Sequence, residues 1–174
     1  MANSSSSFSS SRFNVFSLFN LLLLVIVMTS FPAHAKHHSK SSPEFEKAIA
    51  LLKKYEGLHK NHGNLIGYGH LVVKGDGYRA GDNLSEAQAE RLLRKDLLKL
   101  CKEFSHLGKD SIFMAVFAYN LGSGGASRSS VYKKLAAGNR NIKESFLSYC
   151  TAKGKVITQL QKRRQEEYDT LFIL

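Results

Sequence analysis

The chain is poor in acid and in cysteine, and it has no internal repeat and no low-complexity segment beyond its first residues. Asp and Glu number 14 against 25 Lys and Arg, a formal net charge of +11. That imbalance fits anionic polymers such as cell-wall glycan, membrane surfaces or nucleic acid. No nucleic-acid recognition motif appears, which places nucleic acid last of the three. Cys101 and Cys150 are the only cysteines. Neither stands in a Cys-His arrangement, so neither reads as a nucleophile. One disulfide closing a long loop and two separate buried thiols are equal readings of the pair. The longest apolar run, 15–28, is broken by Ser17 and Asn20 and is short for a membrane span.

That run belongs to a leader. Ser-rich residues and a single cation, Arg12, precede it, and Ala33-His34-Ala35 follows with the small residues a signal peptidase reads. The sequence therefore divides into a signal peptide over 1–35, a polar linker over 36–43 and one folded domain over 44–174. Removing 35 residues from 174 leaves 139, enough for one core, and the loss of Arg12 lowers the net charge from +11 to +10. The expected product is an exported, periplasmic or secreted monomer with no membrane anchor left after cleavage.

Within the domain, Ser42-Pro43-Glu44 reads as an N-cap, a proline at the first helical position and an acid in the first turn. Phe45, Ala48, Ile49, Leu52 and Tyr55 then recur at helical spacing up to Glu56, and Gly57 ends the helix. From His62 to Asn83, glycines interleaved with short apolar runs predict a small antiparallel sheet. Ser85-Glu86-Ala87-Gln88 is a capping box opening a helix to about Phe104. Asp110 is expected to cap an almost wholly apolar helix, which belongs at the centre of a helical lobe. A Gly- and Ser-rich turn over 122–130, a short helix ending near Gly138, a segment over 142–151 and a basic helix from about Val156 to Leu171 complete the chain. The order gives an α+β, mostly helical molecule with a cleft between a small sheet lobe and a helical lobe.

Glu56 falls at that junction. It sits beside the buried stripe of its helix, where partial desolvation favours the protonated carboxyl and equips it to donate a proton. Tyr68, held between Gly67 and Gly69, is the expected cleft wall. His59, His62 and His70 have ligand-type residues at short spacing, but no Cys or acidic residue supplies a fixed fourth ligand, so no metal and no cofactor is expected. Arg163 and Arg164 carry two readings each: a reach to Glu56 or to substrate, or a solvated basic face with one arginine paired to Glu167 at helical spacing.

Several segments, in order, resemble the phage-type lysozymes, glycoside hydrolase family 24. They are K-Y-E-G-L at 54–58, I-G-Y-G-H at 66–70, A-E-R-L-L-R-K-D-L at 89–97, A-Y-N-L-G at 118–122, S-S-V-Y-K-K-L-A-A-G at 129–138, and K-G-K-V followed by L-Q-K-R-R-Q-E-E at 160–167. The resemblance implies a lysozyme-like fold and a muramidase that cuts the β-1,4 bond between N-acetylmuramic acid and N-acetylglucosamine in peptidoglycan. It makes Glu56 the general acid and, with His70, makes Leu71, Tyr119, Asn120 and Ser130 substrate contacts.

The chain departs from the family beside the acid. Typical members carry an Asp or Cys about nine residues beyond it and a Thr about six later. Here the loop is shortened, no Asp lies between Glu56 and Gly67, and the Thr position holds Leu65. Three mechanisms stay open. His62 or His59 acts on the attacking water; Asp76 or Asp82 supplies a second carboxylate; or Glu56 works alone in a lytic transglycosylase. A glycan-binding relative without activity is the non-enzymatic alternative.

Overall fold

The computed structural model describes residues 42–172, with the side chains of 60–62 outside that description. The predicted leader and all but the end of the predicted linker lie outside the described residues. Helix α1 spans Pro43–Glu56; the Ser42 hydroxyl accepts the Phe45 N–H at 3.2 Å, and Glu44 and Glu46 near its start with Lys53 and Lys54 near its end complement the helix dipole. Its inner face buries Phe45, Ala48, Ile49, Leu51 and Leu52. The Gly57 N–H closes the last turn on the Lys53 carbonyl at 3.2 Å.

Strands β1 (His59–His62), β2 (Leu65–Gly67) and β3 (His70–Leu71) form an antiparallel meander in that order, with Leu65 opposite Leu71 and Ile66 opposite His70. The sheet starts three residues before the expected His62 and ends at Leu71. Residues 72–84 form a loop whose turns are fastened by side chains: Asp76 accepts the Val73 and Tyr78 N–H groups, and Asp82 accepts that of Arg79. Helix α2 (Glu86–Glu103) opens with the predicted capping box, Ser85 and Gln88 each accepting the other's backbone N–H. It packs on β2 where Gly67, at φ 58°, leaves out a Cβ that would come within 3.3 Å of the Ala89 Cβ.

A 3₁₀ turn, Ser105–Asp110, leads into α3 (Ser111–Leu121), which buries Phe113 to Ala118 without a break and is the axis of the helical lobe. The expected Asp110 cap is absent. Its carboxylate is buried and instead accepts two bonds from the Arg140 guanidinium, at 3.1 and 2.8 Å. Phe113, Phe117 and Phe146 pack with ring centroids 4.6–5.1 Å apart. Helix α4 (Ser123–Arg128) forms inside the stretch expected to be a turn, followed by α5 (Ser130–Ala136), capped by Ser129, and α6 (Lys143–Leu147). A hairpin of β4 (Thr151–Ala152) and β5 (Lys155–Val156), turning at Lys153 (φ 50°) and Gly154 (φ 74°), precedes α7 (Thr158–Leu171). Cys101 and Cys150 are free thiols, so the disulfide reading does not hold. Burial pushes the Cys101 thiol up to about 11. Among the described residues no helix is long and apolar enough to cross a membrane.

Candidate active site

Glu56 ends α1 at the point where α7 and the sheet both approach. Its side chain is 19 % exposed, and Oε1 accepts a 2.8 Å bond from Arg163 Nη2. Oε2 lies against Gly69, whose φ of 87° few other residues adopt and whose missing Cβ would stand 3.4 Å from that oxygen. One carboxylate oxygen is therefore held by a guanidinium, while the other faces the sheet backbone.

Arg163 is itself fixed from behind. Its Nε donates to Glu167 Oε1 at 2.8 Å, and Glu167 Oε2 takes Arg164 Nη1 at 2.5 Å. All three side chains are buried, so neither arginine lies on a solvated face, and Arg163 realises both its expected partners at once. Burial pushes the Glu167 carboxyl up against the opposing pull of the two guanidiniums. Arg164 also donates to the Asn120 side-chain oxygen and lies over the Phe117 and Phe146 rings, with guanidinium carbons 5.1 and 5.4 Å from their centroids. Its Nε is buried without a hydrogen-bond partner.

Gly69 is also part of the wall of a cavity of about 320 Å³ between the sheet and helices α2 and α3. That cavity brings together three of the expected contacts, His70, Leu71 and Tyr119, and adds residues the sequence did not single out, among them Val73, Asp96, Lys99 and Glu103. The last three lie on α2 at three- and four-residue steps, a spacing visible in the sequence but no different from that of a solvated helix face. Leu71 is 57 % exposed and Val73 54 %, which leaves an apolar rim at the mouth.

His70 is bound at both ring nitrogens. Nδ1 lies 2.7 Å from Asp96 on α2, and Nε2 lies 3.1 Å from Asp76 on the loop. The imidazole therefore ties the sheet lobe to α2, a structural task beside its place in the wall. Asp76 takes two backbone N–H bonds as well as His70, and these hold its carboxyl down to about 2.

Two expected contacts lie elsewhere. Asn120 borders a separate cavity of about 330 Å³ with Leu121, Tyr149 and Leu160, and its amide oxygen is committed to Arg164. Ser130 is exposed at the start of α5, where its N–H donates to the Tyr149 hydroxyl at 3.3 Å. Tyr68 is corrected outright: it is 5 % exposed and belongs to the core, with its hydroxyl 3.4 Å from Glu86 and the Lys53 ammonium over its ring. What it gives the site is its carbonyl, which accepts the Tyr119 hydroxyl at 2.9 Å. Burial pushes the Tyr119 phenol up, so it remains a donor there. His59 is half-buried on β1 opposite Gly67, and the His62 side chain lies outside the described residues.

An acid at a helix end, an arginine holding it from the C-terminal helix, and a cleft between a small antiparallel sheet and a helical lobe define a lysozyme-type fold. The chain belongs to the phage lysozyme family, whose model matches residues 52–167. It is 34 % identical over 143 residues to an endolysin of Bacillus phage B103, an alignment covering 74 % of this chain and 53 % of the endolysin, so the chain spans about half the length of that relative. Among solved structures, the muramidase domain of SpmX from Asticaccaulis excentricus superposes with a TM-score of 0.61 at 23 % identity, over 74 % of this chain and 96 % of that domain. The endolysin of Escherichia coli O157:H7 phage FAHEc1 gives 0.59 at 24 % identity, over 77 % and 94 %. At those identities the likeness is one of fold.

Proposed function

We propose that the protein is a peptidoglycan-cleaving muramidase, hydrolysing the β-1,4 bond between N-acetylmuramic acid and N-acetylglucosamine with Glu56 as general acid. The observation that carries this reading is the mounting of Glu56: Arg163 holds Oε1, and Oε2 lies against the cleft-lining Gly69. In the reaction Glu56 gives its proton to the glycosidic oxygen as the bond from that oxygen to the muramic C1 breaks. A water oxygen bonds to C1 and its proton passes to a base. A carboxylate base from the 72–84 loop is disfavoured, because Asp76 commits both oxygens to Val73, Tyr78 and His70 and Asp82 is engaged with Arg79. The base is assigned to strand β1, to His62 ahead of His59, since those residues replace the family's usual partner in the shortened loop. Leu71, Tyr119 and His70 line the sugar track. The enzyme works as a monomer and is exported through the Sec pathway with loss of residues 1–35.

Digestion of purified peptidoglycan by the mature domain, with mass spectrometry of the released muropeptides, tests this. The wild type releases reducing-end products and Glu56→Gln loses about 10²–10⁴-fold in rate. Anhydro ends would mean a transglycosylase. Equal release by the variant would remove Glu56 from the chemistry. Full activity in both His59→Ala and His62→Ala would remove the β1 base.

A further inference from the structure

The charges of α2 are sorted by face. Its acids are committed to the rest of the fold: Glu86 and Glu90 accept Lys53 Nζ, Glu90 also accepts Arg94, Asp96 bonds His70, and Glu103 accepts the Ser123 hydroxyl. Of its cations, Arg94 joins this network and reaches Glu46 as well. The other four, Arg91, Lys95, Lys99 and Lys102, are exposed and enter no ion pair among the described residues. At 3.6 residues per turn they fall within an arc of about 80° and extend over about 17 Å of helix axis, with no acid between them on that arc.

That arrangement does nothing for the helix. Arg91, Lys95 and Lys99 follow one another at four-residue steps and Lys102 three beyond, spacings at which like charges oppose helix formation. Solubility would be served equally by mixed signs. A line of one sign, left unpaired, is complementary to a partner that carries the other sign in a line. Its position narrows the partner. Lys99 belongs to the stripe and also lines the cavity walled by Gly69, so a polymer lying along the stripe passes the mouth of the cleft. A lipid surface fits poorly, because Leu98, 58 % exposed, is the only large apolar side chain that α2 exposes, whereas an interfacial helix buries a broad apolar face.

We infer that this face of α2 is a docking surface for a wall-linked polyol-phosphate polymer, an anionic chain of phosphodiesters, which holds the protein on the wall beside the glycan. Phosphodiesters repeat one negative charge at intervals along a flexible chain, and ammonium and guanidinium groups bind them through charge-assisted hydrogen bonds. Only the benefit to the cleft rests on the muramidase reading; the docking itself does not.

Co-sedimentation in the cold tests this, with Glu56→Gln protein, cell walls that carry the polymer and the same walls stripped of it by acid. Adding Arg91→Gln, Lys95→Gln and Lys102→Gln together weakens binding to polymer-bearing walls about tenfold at low salt and makes the slope of log affinity against log salt shallower by about 2. On stripped walls the two proteins bind alike. The charge-conserving set Arg91→Lys, Lys95→Arg and Lys102→Arg keeps the parent affinity, and thermal melts check that each variant is folded. In otherwise wild-type protein the Gln set cleaves soluble glycan at the parent rate. Unchanged binding to polymer-bearing walls, or an equal loss on stripped walls, overturns the docking face. So does a loss seen only with phosphatidylglycerol vesicles or only with duplex DNA, which would hand the face to a membrane or to nucleic acid. Failure of the wild type to cleave soluble glycan overturns the muramidase reading alone, since co-sedimentation still decides the docking.

Discussion

Two ionic clusters flank the acid, and they are built on different terms. On the α7 side Arg163, Arg164 and Glu167 are 5, 0 and 1 % exposed and carry Glu56 on their outer edge. On the sheet side Asp76, His70 and Asp96 are 14, 13 and 23 % exposed and carry the cleft wall. The first has no water to fall back on when a partner is lost, whereas the second borders solvent. Removing one member of a buried pair leaves a charge stranded; removing one at the rim lets water take its place. Glu56 is thus mounted on the buried side and the cleft wall on the one that borders solvent, a division that under the proposed muramidase reading would fix the proton donor while admitting a polymer.

The sharpest way to break this contrast is to remove Glu167. Glu167→Gln leaves the buried Arg164 guanidinium without a carboxylate and Arg163 with Glu56 alone, and costs about 3–5 kcal/mol, read by urea denaturation. A loss below about 1 kcal/mol would show that α7 is no more rigid than the sheet. His70→Ala, on the other side, costs about 1 kcal/mol, with the change in hydrogen exchange confined to 65–84, and uniform loss of protection would erase the distinction. The smallest effect is at acid pH. The Asp76 carboxyl is held down from 3.8 to about 2 in the fold, so its contribution is present above pH 4 and fades as pH falls through about 2. Amide shifts of Val73 and Tyr78 follow that titration, and a midpoint near 4 would mean that the loop does not hold Asp76.

How far the sequence reached follows the same division between local and distant. The ends of α1 and α2 were legible because their caps are satisfied within three residues, by Ser42 on Phe45 and by Ser85 with Gln88. Glu56 was legible from helical spacing and the glycine after it. Asp110 was misassigned because the partner that claims it, Arg140, lies 30 residues on and outbids a local cap. Tyr68 sits between two glycines, a pattern that says nothing about which side of the sheet the helical lobe covers. The β4–β5 hairpin went unseen because its strands are only two residues long, although Lys153-Gly154 carries a turn signal. Arg163 showed its Glu167 partner at helical spacing, while its other partner, 107 residues away, appears only in three dimensions.

The claim on which the rest depends is that Glu56 gives its proton to the leaving oxygen while water attacks. Digestion of peptidoglycan in heavy-oxygen water measures both halves at once. The account predicts that the wild type places the label on the new muramic acid reducing end, and that Glu56→Gln, folded to the same melting temperature, yields none above background. Labelled product released by Glu56→Gln at the wild-type rate would contradict it.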